Sequence, residues 1–137
     1  MSERGMLMVI THVHLVPVCR EEIEDGFLRI RGSRIDALGE MALFAGAEPG
    51  EEILNARGGW LLPGLIDAHS HLGLFGDGMG VEGDDGNEIA DPVTPQLRAI
   101  DGINPLDRGF REALDYGVTT VLSGPGSANA ISGQAAV

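Results

Sequence analysis

Two histidines one residue apart, closing a short apolar run that is entered through proline and glycine, constrain this chain more than any other feature. They lie in Leu61-Leu62-Pro63-Gly64-Leu65-Ile66-Asp67-Ala68-His69-Ser70-His71-Leu72-Gly73. In an extended strand successive side chains point to opposite faces, so Asp67, His69 and His71 share one face. Two imidazoles then stand side by side, with a carboxylate one step behind them. Imidazole nitrogen is a good ligand for zinc and other borderline metals, at about 2.0–2.1 Å. A strand that offers ligands at i and i+2 is a simple way to begin a metal site. The bland alternative is two histidines satisfied by backbone carbonyls in a core strand. Asp67 reads either as a carboxylate that accepts an imidazole N–H and sets its tautomer, or as a polar cap or ion-pair partner deeper in the strand.

The run from Pro63 to Gly73 resembles the signature of the metal-dependent amidohydrolase superfamily, and its flanks are similar to the imidazolonepropionase-like and prolidase-like branch. Gly86-Asn87-Glu88 to Asp101-Gly102-Ile103-Asn104-Pro105, and Gly124-Pro125-Gly126-Ser127-Ala128-Asn129, resemble that branch as well. The resemblance runs through nearly the whole chain, yet matches only the N-terminal portion of a family member. It implies a His-x-His pair at the end of the first strand of a (β/α)8 TIM-type barrel, with His69 and His71 as metal ligands and Asp67 supporting them. The implied cofactor is zinc, or another divalent metal such as manganese or iron, as one or two ions. The implied reaction is hydrolysis of non-peptide or dipeptide C–N bonds by a metal-activated hydroxide. No catalytic residue is expected in this chain, because the family places the proton-shuttling aspartate on the last strand. The implied partner is a small-molecule substrate, and the full-length protein is expected to be a homo-oligomer. Proline dipeptides, cyclic amides, imidazolones and deaminable rings all remain open as substrates.

Composition narrows this further. All nine Lys+Arg positions are arginine, so the carboxylated lysine that bridges two metals in many such enzymes has no counterpart here. A closed (β/α)8 barrel needs about 250 residues, and 137 residues cannot complete one. The net charge of −12 argues against nucleic acid and anionic membranes as partners, since both are polyanions. A single cysteine, Cys19, excludes an internal disulfide and fits a reducing compartment. It reads as a packed thiol just past a strand. The N-terminus lacks the pattern of a signal peptide, and no apolar run approaches the ~18 residues of a membrane span. A cytoplasmic protein is expected.

Taken in order, Met6 to about Val18 reads as a strand, and residues 26–39 read as a hairpin turning at Gly32-Ser33. Residues 52–56 read as another short strand. Together they predict a small, incomplete β-sandwich over residues 1–58, followed over 59–137 by the start of a truncated barrel. Thr11-His12-Val13-His14 also puts two imidazoles on one strand face, but nothing around it completes a ligand set, and it reads as a pair of half-exposed structural histidines. The glycine- and acid-rich connection from Gly73 to Ile103 does not have the ligand spacing of an EF-hand. It reads as a substrate-side loop or as a solvated acidic loop. Asn104 as N-cap and Pro105 at the first position predict a helix over 105–116, with Leu106, Phe110, Ala113 and Leu114 as a core-facing stripe and Gly117 as its C′ residue. With a strand over 61–72 and another over 118–122, this is a βαβ unit and predicts a parallel pair. The Gly-rich tail from Ser123 lacks a phosphate-loop lysine and reads as a second loop on the catalytic face.

Three functional readings follow: the N-terminal part of a C–N bond hydrolase, inactive alone; a stand-alone non-catalytic β-rich module; or one chain of a split hydrolase.

Overall fold

The computed structural model describes residues 6–76 and 80–137; Asp77, Gly78 and Met79 of the acidic connection lie outside the described residues. The chain divides into two compact units, Met1–Pro63 and Gly64–Val137. Elements are α and β mixed, rich in strand. Among the described residues no helix is long and apolar enough to cross a membrane.

The first unit is built on a single β-sheet. Strands β1 (Leu7–Leu15), β2 (Ile23–Arg31), β3 (Arg34–Glu40) and β4 (Glu52–Asn55) form a sheet in the order β3-β2-β1-β4, and β5 (Trp60–Leu61) also pairs with β1. The β2–β3 hairpin turns at Gly32, whose φ of 63° is the left-handed value a tight turn needs. Strand β4 runs parallel to β1, as does β5. Because β5 pairs with β1, Trp60 and Leu61 belong to this first unit, beyond the boundary expected at 58. Strand β1 buries Val9, Thr11, Val13 and Leu15, but its register shifts between Thr11 and Val13, where His12 takes a φ of 51°, so Ile10 joins Val13, Leu15 and Leu28 in a cluster completed by Ile23, Ile30, Leu38 and Leu61. Cys19 is exposed rather than packed: Val16-Pro17-Val18 leaves the sheet, and Val18 takes a φ of 64°, so the thiol never enters the core.

One ion pair in this unit is largely withdrawn from water. Arg29 Nε donates to Glu51 Oε1 at 2.6 Å and Nη2 to Oε2 at 3.0 Å, a bidentate fork. The Glu48 backbone N–H adds a third bond to Glu51 at 2.8 Å, and the Glu51 side chain is 0 % exposed. The Arg29 hydrogen bonds hold the Glu51 carboxyl below the ordinary carboxylate range, against the upward push of burial. A folded-state pKa lowered in this way stabilises the fold above the unfolded value of about 4.3 and loses that contribution as pH falls through the lower folded value. Glu51→Gln removes the bidentate carboxylate from Arg29, leaving Glu48 at 3.5 Å as its remaining counter-charge, and is expected to cost about 2 kcal/mol. Urea titrations at pH 7 and pH 3.5 check both statements: the variant's deficit at pH 7 must shrink at pH 3.5, and a deficit equal at both pH values would refute the ion-pair account.

In the second unit β6 (Leu65–Ser70) and β7 (Val118–Ser123) form the expected parallel pair. The strand read over 61–72 is broken in two, because Leu62-Pro63-Gly64 separates β5 from β6; proline has no N–H to give a ladder. Between the strands lie a helical turn, α1 (Ala99–Gly102), and the helix α2 (Arg108–Asp115). Helix α2 starts later than expected. Asp107, not Asn104, is its N-cap, accepting from Gly109 N–H at 2.8 Å, while Asn104 caps only a local turn through Leu106 N–H. Gly117 ends the helix as expected, at φ 85°. The stripe does not pack as a whole: Leu106 precedes the helix and is 89 % exposed, whereas Phe110 and Ala113 are half-buried.

Candidate metal centre

Strand β6 is exposed along its length up to His69, and His71 just past its end is half-buried. The two imidazoles nevertheless meet as the alternation requires, with ring centroids 5.3 Å apart and planes at 77°. Phe75 sets its ring edge-on to His71 at 5.8 Å. The histidine rings line a cleft of about 200 Å³ whose other wall is Leu122, Gly124, Pro125, Ser132, Gly133 and Ala135. Larger cavities exist: an apolar one of about 520 Å³ in the first unit and one of about 360 Å³ beside Arg98, neither lined by a histidine, and one of about 350 Å³ lined by His71, Phe75 and Asp107.

The hydrogen bonding of His71 decides what its ring can do. Nδ1 lies 2.6 Å from the carbonyl oxygen of Gly124. A carbonyl has no proton to offer, so Nδ1 carries the hydrogen, and in the neutral ring Nε2 keeps its lone pair for a ligand. A ligating histidine typically donates its other N–H to a carbonyl or carboxylate in this way. The tautomer-setting role read for Asp67 is filled at His71 by Gly124. Asp67 itself is exposed and accepts from the backbone N–H of His69 at 3.1 Å, a local turn that stiffens the strand between the two positions. Among the described residues the His69 ring makes no hydrogen bond, and no group of three or more His, Cys, Asp or Glu side chains gathers in metal-binding geometry. The donor set therefore fits a divalent cation as two imidazoles.

The first His-x-His is arranged differently. His12 pairs with Asp25 at 3.2 Å and His14 with Glu22 at 2.9 Å. His14 also stacks on Trp60, with centroids 4.2 Å apart and planes at 3°. Each ring is committed to its own carboxylate, so the pair does not converge on a common point.

The chain as a whole is similar to known proteins. No family model matches the chain. Over 84 residues it is 45% identical to amidohydrolase tasK of Hapsidospora irregularis, covering 61% of this chain and 8% of that protein. It is 40% identical over 67 residues to an imidazolonepropionase of Ralstonia nicotianae, covering 45% of this chain and 16% of that one. A crystal structure of an amidohydrolase from Thermotoga maritima MSB8 superposes with a TM-score of 0.82 and 38% identity, over 93% of this chain and 32% of that chain. The chain belongs with the amidohydrolases. It spans less than a third of the length of each of these three relatives.

Within this amidohydrolase chain, sequence reasoning passed over Ser123 and the Gly124 carbonyl. Ser123 is 2 % exposed, and its hydroxyl donates to the Leu72 carbonyl at 2.7 Å. The one signal available was a serine directly after a β-branched strand and before Gly-Pro. Also missed was the hold of Asp107 on the histidine segment, through Oδ2 to the Gly73 N–H at 3.2 Å.

Proposed function

We propose that the 137 residues are the N-terminal portion of a longer, cytoplasmic amidohydrolase that hydrolyses C–N bonds of small molecules at a divalent metal, zinc or alternatively manganese or iron, held in part by His69 and His71. The observation that carries this reading is the His71 Nδ1–H bond to Gly124, which leaves Nε2 as a donor 5.3 Å, ring to ring, from the second imidazole. The names of the relatives, amidohydrolase and imidazolonepropionase, point to amide, imide or amidine carbon as the centre attacked.

In this reading the chain's own residues bind and orient. His69 and His71 donate nitrogen lone pairs, Gly124 fixes the His71 ring, and Asp67 stiffens the backbone leading into His69. A cation bound there supplies Lewis acidity toward water and toward the carbon under attack. Phe75, 41 % exposed and edge-on to His71, forms an apolar wall that limits water beside the rings. Remaining ligands and the proton-transfer aspartate are assigned to later strands of a (β/α)8 barrel.

Elemental analysis of the purified full-length protein tests the proposal. One or two equivalents of zinc, manganese or iron are expected, with hydrolysis of cyclic amide substrates lost on chelation and restored by metal. A full-length protein with both histidines intact, yet without bound metal or activity, would sink it.

A further inference from the structure

We propose that Ser123 is a positioning residue for His71, an inference that rests on the metal-site reading above. The C-terminal end of β7 grips three consecutive residues of the histidine segment. Gly124 N–H donates to the Ser70 carbonyl at 2.9 Å, the His71 ring donates to the Gly124 carbonyl at 2.6 Å, and the Ser123 hydroxyl donates to the Leu72 carbonyl at 2.7 Å. Both backbone groups of Ser123 are already committed: its N–H donates to Ala136 and its carbonyl accepts from Ala136, each at 2.8 Å. The serine is therefore held from behind by the tail while its side chain reaches forward to Leu72.

The hydroxyl is the informative part. A buried hydroxyl without a partner is costly, and alanine would fill nearly the same space without that demand. Its bond to Leu72 pins the main chain on the far side of His71, while Gly124 pins the near side at Ser70. With both flanks fixed, the imidazole meets the Gly124 carbonyl at a set distance, and the nitrogen that faces a cation is fixed with it. Loss of the Ser123 bond frees one flank, lengthens the ring-to-carbonyl bond and lets the other tautomer in.

Two isosteric replacements separate the hydroxyl from the shape: Ser123→Thr keeps it and Ser123→Val removes it, with Ser123→Ala as a smaller variant should valine not fold. Zinc affinity of the full-length protein is measured by chelator competition, and the His71 tautomer of the metal-free protein by long-range proton–nitrogen NMR at pH 8. The valine and alanine variants are expected to bind zinc about tenfold more weakly, in line with losses of 10–100-fold on removing groups that orient metal ligands, and to show a mixed His71 tautomer. Threonine is expected to match the natural protein in both. Wild-type zinc affinity and an unmixed tautomer in the alanine variant would overturn the inference, as would threonine failing as valine does. If the natural protein binds no zinc, the metal reading fails, and the tautomer measurement alone still decides the role of Ser123.

Discussion

Replacing His71 by alanine in the full-length protein is expected to lower kcat/KM by about 10³-fold or more, because the metal's electrostatic contribution to the transition state is worth several kcal/mol and each 1.36 kcal/mol is a factor of ten. His69→Ala is expected to do the same, and in both variants bound metal must fall with activity. The two rings are neighbours on one strand face, 5.3 Å apart, so the loss of either leaves a single imidazole from this segment. The first histidine pair supplies an internal control. His12 and His14 each face a carboxylate of their own, so His12→Ala and His14→Ala should leave metal content and turnover unchanged. Elemental analysis beside steady-state kinetics decides the matter. Full metal occupancy and full turnover in His71→Ala would remove the histidine pair from the reaction.

Gly73→Ala is expected to destabilise the second unit by about 2–5 kcal/mol, the sum of two separate costs. Gly73 has φ 85°, and an L-residue forced into the left-handed region costs about 1–2 kcal/mol. A Cβ there would also stand 2.9 Å from Ile103 Cγ2 and 3.0 Å from the Phe110 ring, and overpacking adds about 1–3 kcal/mol. The position has little room to give way. Its N–H donates to Asp107, and its carbonyl accepts from Asn104 N–H at 2.9 Å. Gly32 isolates the first cost, because its φ is 63° but nothing lies within 4 Å of the Cβ site. Gly32→Ala should therefore cost only about 1–2 kcal/mol. Denaturant titration of the two variants gives the comparison. Equal losses would show that packing around Gly73 contributes nothing.

Much of this fold is legible in the amino-acid sequence, and the reasons are local. The β2–β3 hairpin follows from apolar runs flanking Gly32-Ser33, and the C-terminus of α2 follows from Gly117, because glycine tolerates a backbone angle that other residues resist. The meeting of His69 and His71 follows from strand geometry alone. Where sequence and structure part, two local signals of equal strength compete. Asn104-Pro105 and Asp107 are both sound helix starts. Asp107 prevails where its second carboxylate oxygen can also hold Gly73, a partner 34 residues away that no window on the sequence includes. Leu106 belongs to the apolar stripe only if the helix has already begun at Pro105; with the start at Asp107 it stays outside the core.

By itself the sequence determined which residues can act: two imidazoles on one strand face, glycines at the left-handed positions 32, 73 and 117, and no lysine. These depend on covalent geometry and on spacing of one to four residues. Tertiary structure alone decided how the imidazoles are held. The Gly124 carbonyl that orients His71 lies 53 residues along the chain, and the Ser123 hydroxyl that grips Leu72 lies 51. Such contacts exist only once β7 has paired with β6, because a hydrogen bond depends on position in space and leaves no periodic trace along the chain.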